Sequence, residues 1–400
     1  MARLLSDIEG KIRHILISSR YNMEIPRIKH IVNAFDADVT ITIFYQKIPE
    51  DNALAEFSHL EQLIASLPHE RNINYVPITN QPWLWIQDLI HVREDHSITP
   101  SRPSEPLLSK DGKETQQNIA SIIDSAFWED KGFPIKPNTT GLYNTDCGDI
   151  IVFNNNVFVG SYIINKHLKY NARYNANFQT GDASSYSYQY AKEEYMAGLR
   201  KLDSERNLHI MDVGGEPLAH HLNMVFTPID ENTVAVADPK STLEYLNLPK
   251  EIQPVPSHQR LVNQLERFAE SLERKYNRVV RIPLIPRLYR SNENKAQSYR
   301  REGKFTISSQ ELCILMSFNA VLQERYSLDG NTVHKIYIPT HSVPDIINAN
   351  GIDLSRFGEV QQQAISTYES LGIQVKPVSF NYMVGFDGGL ACTIKVLERG

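Results

Sequence analysis

A cysteine near the C-terminus stands in a setting that suits a nucleophile. Cys392 follows the glycine pair Gly388 and Gly389 by three residues, at a predicted loop-to-strand junction. Glycines let a ligand approach the backbone closely, and a nucleophile requires such access. A buried cysteine on a final core strand is the alternative, because a lone cysteine usually packs as a small apolar residue. This segment alone leaves both interpretations open.

Two adjacent histidines offer a proton-transfer group. His220 and His221 follow a second glycine pair and lead into an apolar run that predicts a strand. Side chains two residues apart in a strand share a face. We therefore expect His221 and Asn223 to address one ligand, as an acid/base and a hydrogen-bonding group. Solvated imidazoles at a strand edge are the alternative, and chemistry alone does not choose between the two histidines.

An acid lies inside an unusually apolar segment. Asp88 is flanked by tryptophan, leucine and isoleucine residues over positions 83–92. Burial of a carboxylate costs free energy unless a cation of the protein or of a ligand pairs with it. The segment therefore indicates either a capping residue at a strand end or part of a site for a cationic ligand.

The elements that must position these residues alternate between short strands and amphipathic helices, which predicts an α/β fold class. We expect strands at 13–18, 38–45, 74–77 and 374–378. We expect helices at 24–35, 52–67, 188–202, 258–276 and 355–371. The chain shows no clear linker, so it is predicted to form a single catalytic domain over residues 1–400.

Repeated asparagine turns and irregular stretches also bear on the architecture of the chain. Segments 154–159, 230–236 and 329–333 each place asparagine in a turn before a predicted strand. Such a pattern fits repeated strand–helix modules, with chance hairpins as the alternative. Stretches near 95–140, 161–190 and 286–310 have irregular, polar or basic composition and predict loop insertions, which more often carry specificity than core packing.

Composition restricts the class of protein. The 400 residues are 41% hydrophobic, enough for a large core, yet no apolar run reaches the roughly 18 residues of a membrane-spanning helix. The three cysteines, Cys147, Cys313 and Cys392, are too few for a disulfide framework or a zinc quartet. A net charge of −6 argues against a nucleic-acid partner and is compatible with a cationic ligand. The N-terminus does not resemble a signal peptide, so a cytoplasmic location is expected, with export by another route left open.

Taken together and in this order, the three segments resemble motifs of the guanidine-modifying (pentein) superfamily. Trp85–Asp88 looks like the tryptophan–aspartate motif of protein-arginine deiminases and, more loosely, of agmatine deiminases. His221–Asn223 resembles the superfamily's His-x-Asp motif, and Gly388–Cys392 resembles the glycine-rich segment before its cysteine. Asp146–Ile150 sits where the family has a glycine-containing turn before a hairpin.

The resemblance implies a five-bladed, pseudo-symmetric α/β propeller and a cysteine-dependent hydrolase, a deiminase that converts a guanidino group to a ureido group plus ammonia. It implies that Cys392 attacks the guanidinium carbon, that His221 protonates the departing nitrogen, and that His221 then activates water. Asp88 would hold the guanidinium through paired hydrogen bonds. The resemblance further places four residues around the substrate: Asn223, Trp85, Asp149 and Gly389.

The implied substrate is arginine-like: free arginine, agmatine or an arginine-containing peptide or protein. No cofactor or metal is expected. Calcium dependence is not implied either, because Leu89 and Ile90 follow Asp88 in place of the acids that bind calcium in vertebrate protein-arginine deiminases. No membrane partner is expected, and homo-oligomerisation is left open.

The sequence also departs from the family pattern. Asn223 stands where the family has a second guanidinium-binding carboxylate, and Ala391 where many relatives have histidine. Two alternatives therefore stay open beside the hydrolase. One is an amidinotransferase, and the other is a catalytically degenerate propeller that binds a protein partner. The retention of Asp88, His221 and Cys392 argues against the latter, whereas Asn223 favours it.

Overall fold

The computed structural model has a mixed α/β fold. It describes residues 3–19, 22–46, 53–78, 84–101, 125–137, 139–140, 142, 146–168, 188–218, 221–248, 250, 252–290, 316–341, 355–380 and 388–400. Cys313, His220 and most of the predicted 286–310 insertion lie outside these residues. No helix in the described ranges is long and apolar enough to cross a membrane.

The strands and helices alternate along the chain, as the sequence predicts. The strands are β1 (Ile12–Ser19), β2 (Thr40–Gln46), β3 (Ile73–Ile78), β4 (Ile90–Val92), β5 (Ile98–Pro100), β6 (Ile150–Phe153), β7 (Asn156–Gly160), β8 (Asn207–Met211), β9 (Phe226–Pro228), β10 (Thr233–Asp238), β11 (Ile252–Pro254), β12 (Arg278–Ile285), β13 (Leu288–Arg290), β14 (Met316–Ser317), β15 (Leu322–Leu328), β16 (Asn331–Thr340), β17 (Gln374–Ser379) and β18 (Ile394–Arg399). The helices are α1 (Ile25–Ala34), α2 (Ala53–Ser66), α3 (Ser125–Asp130), α4 (161–168), α5 (Tyr188–Leu199), α6 (Pro239–Leu246), α7 (Pro256–Glu273) and α8 (Ser355–Glu369).

The chain packs into two compact units. The first comprises Met1–Leu222, Leu322–His334 and Ala391–Gly400, and the second comprises Asn223–Val321 and Lys335–Leu390. The chain passes between the units several times, which agrees with the lack of a dividing linker in the sequence. The single-domain assignment stays a prediction.

The first unit contains a four-stranded sheet in the order β18-β1-β2-β3. Parallel pairing joins β1 to β2 and β2 to β3, and antiparallel pairing joins β18 to β1. Every residue of β1 except Arg13 is buried, as expected of a parallel strand covered on both faces. Helix α1 begins with Pro26 in its first turn, where a missing N–H costs no hydrogen bond. This sheet therefore provides a rigid support for the turn that precedes β18.

Within the residues that the structure describes, a turn followed by a pair of neighbouring strands occurs five times. The turns are Ile86–Leu89, Cys147–Asp149, Leu222–Met224, 318–320 and Ala391–Thr393. The strand pairs that follow them are β4–β5, β6–β7, β9–β10, β15–β16 and β18–β1. In four cases the second strand pairs in parallel with a strand that lies beyond one or two helices: β8, β12, β17 and β2. The three asparagine turns of the sequence belong to three of these modules.

The hairpin turns differ in detail from the sequence pattern. Asn154 adopts a left-handed backbone, with φ of 52°, as predicted for an asparagine turn. In the third hairpin the left-handed positions are Asp329 and Gly330, with φ of 51° and 79°, and Asn331 already belongs to β16. A one- or two-residue shift of this kind leaves the hairpin itself in place.

Two of the stretches predicted to be irregular contain regular structure. The 95–140 stretch includes β5 and α3, and the 161–190 stretch begins with α4. Ile163 and Ile164 of α4 are fully buried in the core of the first unit, which explains why this segment is helical. The tyrosine- and asparagine-rich composition that follows α4 conceals this short apolar stripe in the sequence.

Candidate active site

Four of the predicted site residues occupy equivalent places in the repeated modules. Asp88, Asp149, Asn223 and Cys392 each lie in a short turn before the first strand of a hairpin. The prediction that His221 and Asn223 share one face of a strand is therefore wrong, because β9 begins only at Phe226. The backbone N–H of Leu222 donates to a side chain, Asp149, at 3.0 Å and so takes no part in a strand ladder.

Three of these turns pack together within the first unit. The turn that carries Asp88 contacts both the turn that carries Cys392 and the turn Cys147–Asp149. The backbone N–H of Gly148 donates to Asp88 Oδ1 at 3.0 Å, which ties the first turn to the third. Residues far apart in sequence are thus brought to one place by short turns rather than by strand faces.

Asp88 is buried, and its surroundings favour the protonated acid. Burial and, to a lesser extent, the negative charge of Asp146 raise the pKa of Asp88 to about 8. The Gly148 N–H and the charges of Lys166 and Lys395 act in the opposite direction without cancelling the effect. A cationic ligand would supply the missing counter-charge and allow this carboxyl group to ionise.

His221 lies above a pair of buried carboxyl groups. Its Nε2 is 3.9 Å from Asp146 Oδ2 and 3.9 Å from Asp149 Oδ2, which is ion-pair distance rather than hydrogen-bond distance. The His221 side chain is 20% exposed, whereas those of Asp146 and Asp149 are 3% and 0% exposed. The imidazole therefore reaches solvent on one side and two acidic partners on the other, an arrangement that suits proton transfer.

Asp149 is a buried carboxyl group with a raised pKa, held by the Leu222 N–H in space that Gly160 leaves open. Burial raises its pKa well above the ordinary value, as does the charge of Asp146, whereas the Leu222 N–H lowers it. A Cβ at Gly160 would lie 2.3 Å from Asp149 Oδ1, so the glycine leaves the space that this carboxyl group occupies. Within the described residues Asp149 Oδ2 has no hydrogen-bond partner, and this acceptor lies on the side of His221.

The two described cysteines differ in chemical setting. Cys147 is fully buried, its thiol donates to the Ile90 carbonyl at 3.3 Å, and burial raises its pKa to about 12. A thiol held in this way is a poor nucleophile, because the thiolate is the reactive form. Cys392 lies in the turn Ala391–Thr393 with 7% of its surface exposed, and neither cysteine forms a disulfide.

The remaining predicted substrate residues have mixed surroundings. Trp85 is half-buried and directly precedes the Asp88 turn, and Asn223 is buried. A Cβ at Gly389 would lie 2.0 Å from the Cβ of Ala320, so close packing requires glycine there. The structural role of Gly389 is therefore sufficient to explain the residue, and its contact with substrate stays a prediction.

The sequence does not indicate two neighbours of His221, Asp146 and Tyr162, or the lysine that contacts Tyr162. Asp146 belongs to the Asp146–Ile150 turn and lies as close to His221 as Asp149 does. The Tyr162 ring lies 5.2 Å from the His221 ring, and Lys166 Nζ lies 4.5 Å above the Tyr162 ring. The four-residue spacing of Tyr162 and Lys166 was the available signal, hidden because the segment was interpreted as a loop.

No protein-family model matches the sequence, and no curated protein is similar to it in sequence. The structure is similar to an agmatine deiminase of Enterococcus faecalis, with a TM-score of 0.55, 10% identity and coverage of 98% of this chain and 95% of that one. An amidinotransferase of saxitoxin biosynthesis from Microseira wollei matches with a TM-score of 0.42, 11% identity and coverage of 100% and 97%. An inosamine-phosphate amidinotransferase from Streptomyces griseus matches with a TM-score of 0.41, 8% identity and coverage of 100% and 97%.

The match to agmatine deiminase extends over nearly the whole of both chains. The chain therefore has a mixed α/β fold similar to that of this agmatine deiminase, in agreement with the fold class expected from the sequence. At 10% identity this likeness defines the fold, and the reaction must be argued from the residues of the site.

Proposed function

We propose that this chain is a cysteine-dependent hydrolase that converts a guanidino group to a ureido group and ammonia. The packing of the Asp88 turn against the Cys392 turn is the observation that carries the proposal. It brings a carboxyl group that can pair with a guanidinium group close to the turn of a candidate nucleophile. His221 stands over its two carboxyl partners in the same unit and is available for proton transfer.

Substrate binding begins with the cation. The guanidinium ionises Asp88 and donates paired N–H hydrogen bonds to its carboxylate oxygens in the bidentate geometry that carboxylates favour. Asn223 offers a neutral amide oxygen where the superfamily has a second carboxylate. The positive charge of the substrate in turn favours the thiolate form of Cys392.

The reaction then takes two steps. The Cys392 thiolate forms a bond to the guanidinium carbon, and His221 protonates the amine nitrogen, which leaves as ammonia with its bonding electrons. The product of this step is a covalent thiouronium. In the second step His221 removes a proton from water, the hydroxide adds to the same carbon, and the carbon–sulfur bond breaks. This sequence yields the ureido product and regenerates the thiolate.

The five turn–hairpin modules support a five-bladed α/β propeller as the architecture that presents these groups. In such a propeller each blade contributes a turn to a common centre. The positions of Asp88, Asp149, Asn223 and Cys392 in four equivalent turns agree with this assignment.

The direct test is product analysis. The protein is incubated with arginine, agmatine or an arginine-containing peptide, and ammonia and the ureido product are quantified by mass spectrometry. We expect equimolar ammonia and ureido product from at least one substrate. Cys392→Ala should form neither product, and Cys147→Ala should still form both. Absence of ureido product from every guanidino compound would refute the proposal. An added amine acceptor that collects the amidino group in place of water would instead identify an amidinotransferase.

A further inference from the structure

A lysine lies near enough to the buried carboxyl groups of the proposed guanidinium site for its charge to act on them. Lys166 and Tyr162 are one helical turn apart on α4, and both side chains are half-buried. Lys166 Nζ lies 4.5 Å above the Tyr162 ring, close enough for a cation–π interaction. The Tyr162 ring in turn lies 5.2 Å from the His221 ring. Lys166 is thus separated from the proton-transfer residue by one aromatic ring.

The local fold holds α4 next to the segment that carries His221. Helix α4 starts directly after β7, and the Ser161 hydroxyl at its first position accepts the backbone N–H of Leu218 at 2.8 Å. Leu218 precedes His221 by three residues. This hydrogen bond therefore links the helix that carries Tyr162 and Lys166 to the segment just before His221. The positive charge of Lys166 reaches the buried acids, because it lowers the pKa of both Asp88 and Asp149.

A cation in this position is unexpected for a site that binds only a guanidinium group. Three buried acids, Asp88, Asp146 and Asp149, would attract any small cation, whereas Lys166 repels one. A substrate with an ammonium group at its far end would meet this repulsion. A substrate with a carboxylate at the same distance would gain an ion pair instead.

We propose that Lys166 selects the substrate by binding an anionic group, so that the chain acts on guanidino acids rather than on guanidino amines. This inference rests on the proposed function, because it names the substrate class of the same site. Lys166 Nζ lies 4.5 Å from the Tyr162 ring, and that ring lies 5.2 Å from the His221 ring. A short guanidinoalkanoate is therefore long enough to bring its carboxylate near Lys166 while its guanidinium end lies near His221.

The test uses two ligands of nearly equal length and opposite terminal charge, 4-guanidinobutyrate and agmatine. The variants are Lys166→Gln and Lys166→Glu. Lys201→Gln is the matched control, because Lys201 is exposed and donates to the Thr139 carbonyl at 3.2 Å. Ammonia release gives kcat/KM for each ligand. Calorimetry on a Cys392→Ala background gives the affinities without chemistry.

The wild-type protein should prefer 4-guanidinobutyrate by about tenfold or more, the effect of a single favourable ion pair. Lys166→Gln should remove most of this preference by lowering the affinity and kcat/KM for 4-guanidinobutyrate, with those for agmatine nearly unchanged. Lys166→Glu should make agmatine the preferred ligand. Equal losses for both ligands in Lys166→Gln would overturn the inference, as would a wild-type preference for agmatine. Turnover without the charge preference would refute this inference alone. Charge-selective binding without turnover would refute the proposed hydrolase and leave the ligand class supported.

Discussion

The buried carboxyl group of Asp149 accepts the backbone N–H of Leu222 at 3.0 Å, one residue beyond His221 in the chain. The same carboxyl group places its second oxygen 3.9 Å from the His221 imidazole. One side chain therefore fixes the backbone beside His221, the proposed acid/base residue, and contributes to the environment of its ring. Gly160 provides the necessary space.

Replacement of Asp149 should separate these two roles. Asp149→Asn keeps an oxygen acceptor for the Leu222 N–H, whereas Asp149→Ala leaves that buried donor unpaired at a cost of about 1–3 kcal/mol. We expect a loss of that size in the free energy of unfolding for the alanine variant only, measured by urea denaturation. In the alanine variant kcat should also fall more than KM changes, because positioning rather than binding is lost. Identical stability and kinetics in the two variants would contradict a positioning role.

Binding of a guanidino ligand should release a proton from Asp88. Because the pKa of Asp88 is about 8, most of this group is protonated at pH 7 in the unliganded protein. A bound guanidinium favours the ionised form, so affinity should rise with pH up to about 8 and then level off. Calorimetry in two buffers of different ionisation enthalpy, on a Cys392→Ala background, measures the released proton directly. A binding enthalpy independent of the buffer at pH 7 would contradict the assignment, and Asp88→Asn provides the control.

The raised pKa of Asp88 also makes the stability of the folded chain depend on pH. The folded chain binds the Asp88 proton more tightly than the unfolded chain, in which the pKa is near 3.8. The contribution of this group to the free energy of unfolding is therefore complete below pH 4 and declines as pH rises towards 8. Asp88→Asn should lack this part of the decline. Urea denaturation of the wild type and Asp88→Asn at pH 5 and pH 8 tests whether the free energy of unfolding falls with pH because of Asp88. The same change with pH in both proteins would show that Asp88 does not contribute to it.

The sequence predicts the regular elements of this chain well. The boundaries of β1 and α8 differ from the expected ones by only one or two residues, because their apolar periodicity is strong. The local conformation around His221 was predicted wrongly, since an apolar run suggested a strand and the structure has a turn. The long-range acceptor for Leu222 comes from Asp149, 73 residues earlier, and no local pattern reports such a partner. Tyr162 and Lys166 escaped notice for a similar reason, because their relation to His221 depends on packing.

Thiol labelling should distinguish Cys392 from Cys147. The Cys147 thiol has its pKa raised to about 12 by burial and donates to a carbonyl group, so it should resist alkylation in the folded protein. A haloacetamidine inactivator, which carries a guanidinium-like cation, should label Cys392 and abolish turnover. Peptide mapping by mass spectrometry locates the adduct. Protection by a bound guanidino ligand is the control, and labelling of Cys147 or Cys313 with loss of activity would exclude Cys392 as nucleophile.

Asn223 should limit affinity for small guanidino compounds. The neutral amide of Asn223 can accept a hydrogen bond from a guanidinium N–H, but this bond is weaker than one to a carboxylate. The loss in binding free energy relative to a carboxylate is about 1–3 kcal/mol. Asn223→Asp should therefore strengthen binding of arginine and agmatine, as measured by calorimetry on a Cys392→Ala background. Asn223→Ser keeps a small polar group without the charge and should not strengthen it. Unchanged or weaker affinity in the aspartate variant would show that another group supplies the second contact.

Covalent capture tests the central claim most directly. The protein is mixed with saturating guanidino substrate, quenched with acid during turnover, digested and analysed by mass spectrometry. The account predicts an adduct on the peptide that contains Cys392, with the mass of the substrate minus ammonia, and no such adduct in Cys392→Ala. Turnover of substrate without any adduct on Cys392, or with the adduct on another residue, would contradict it.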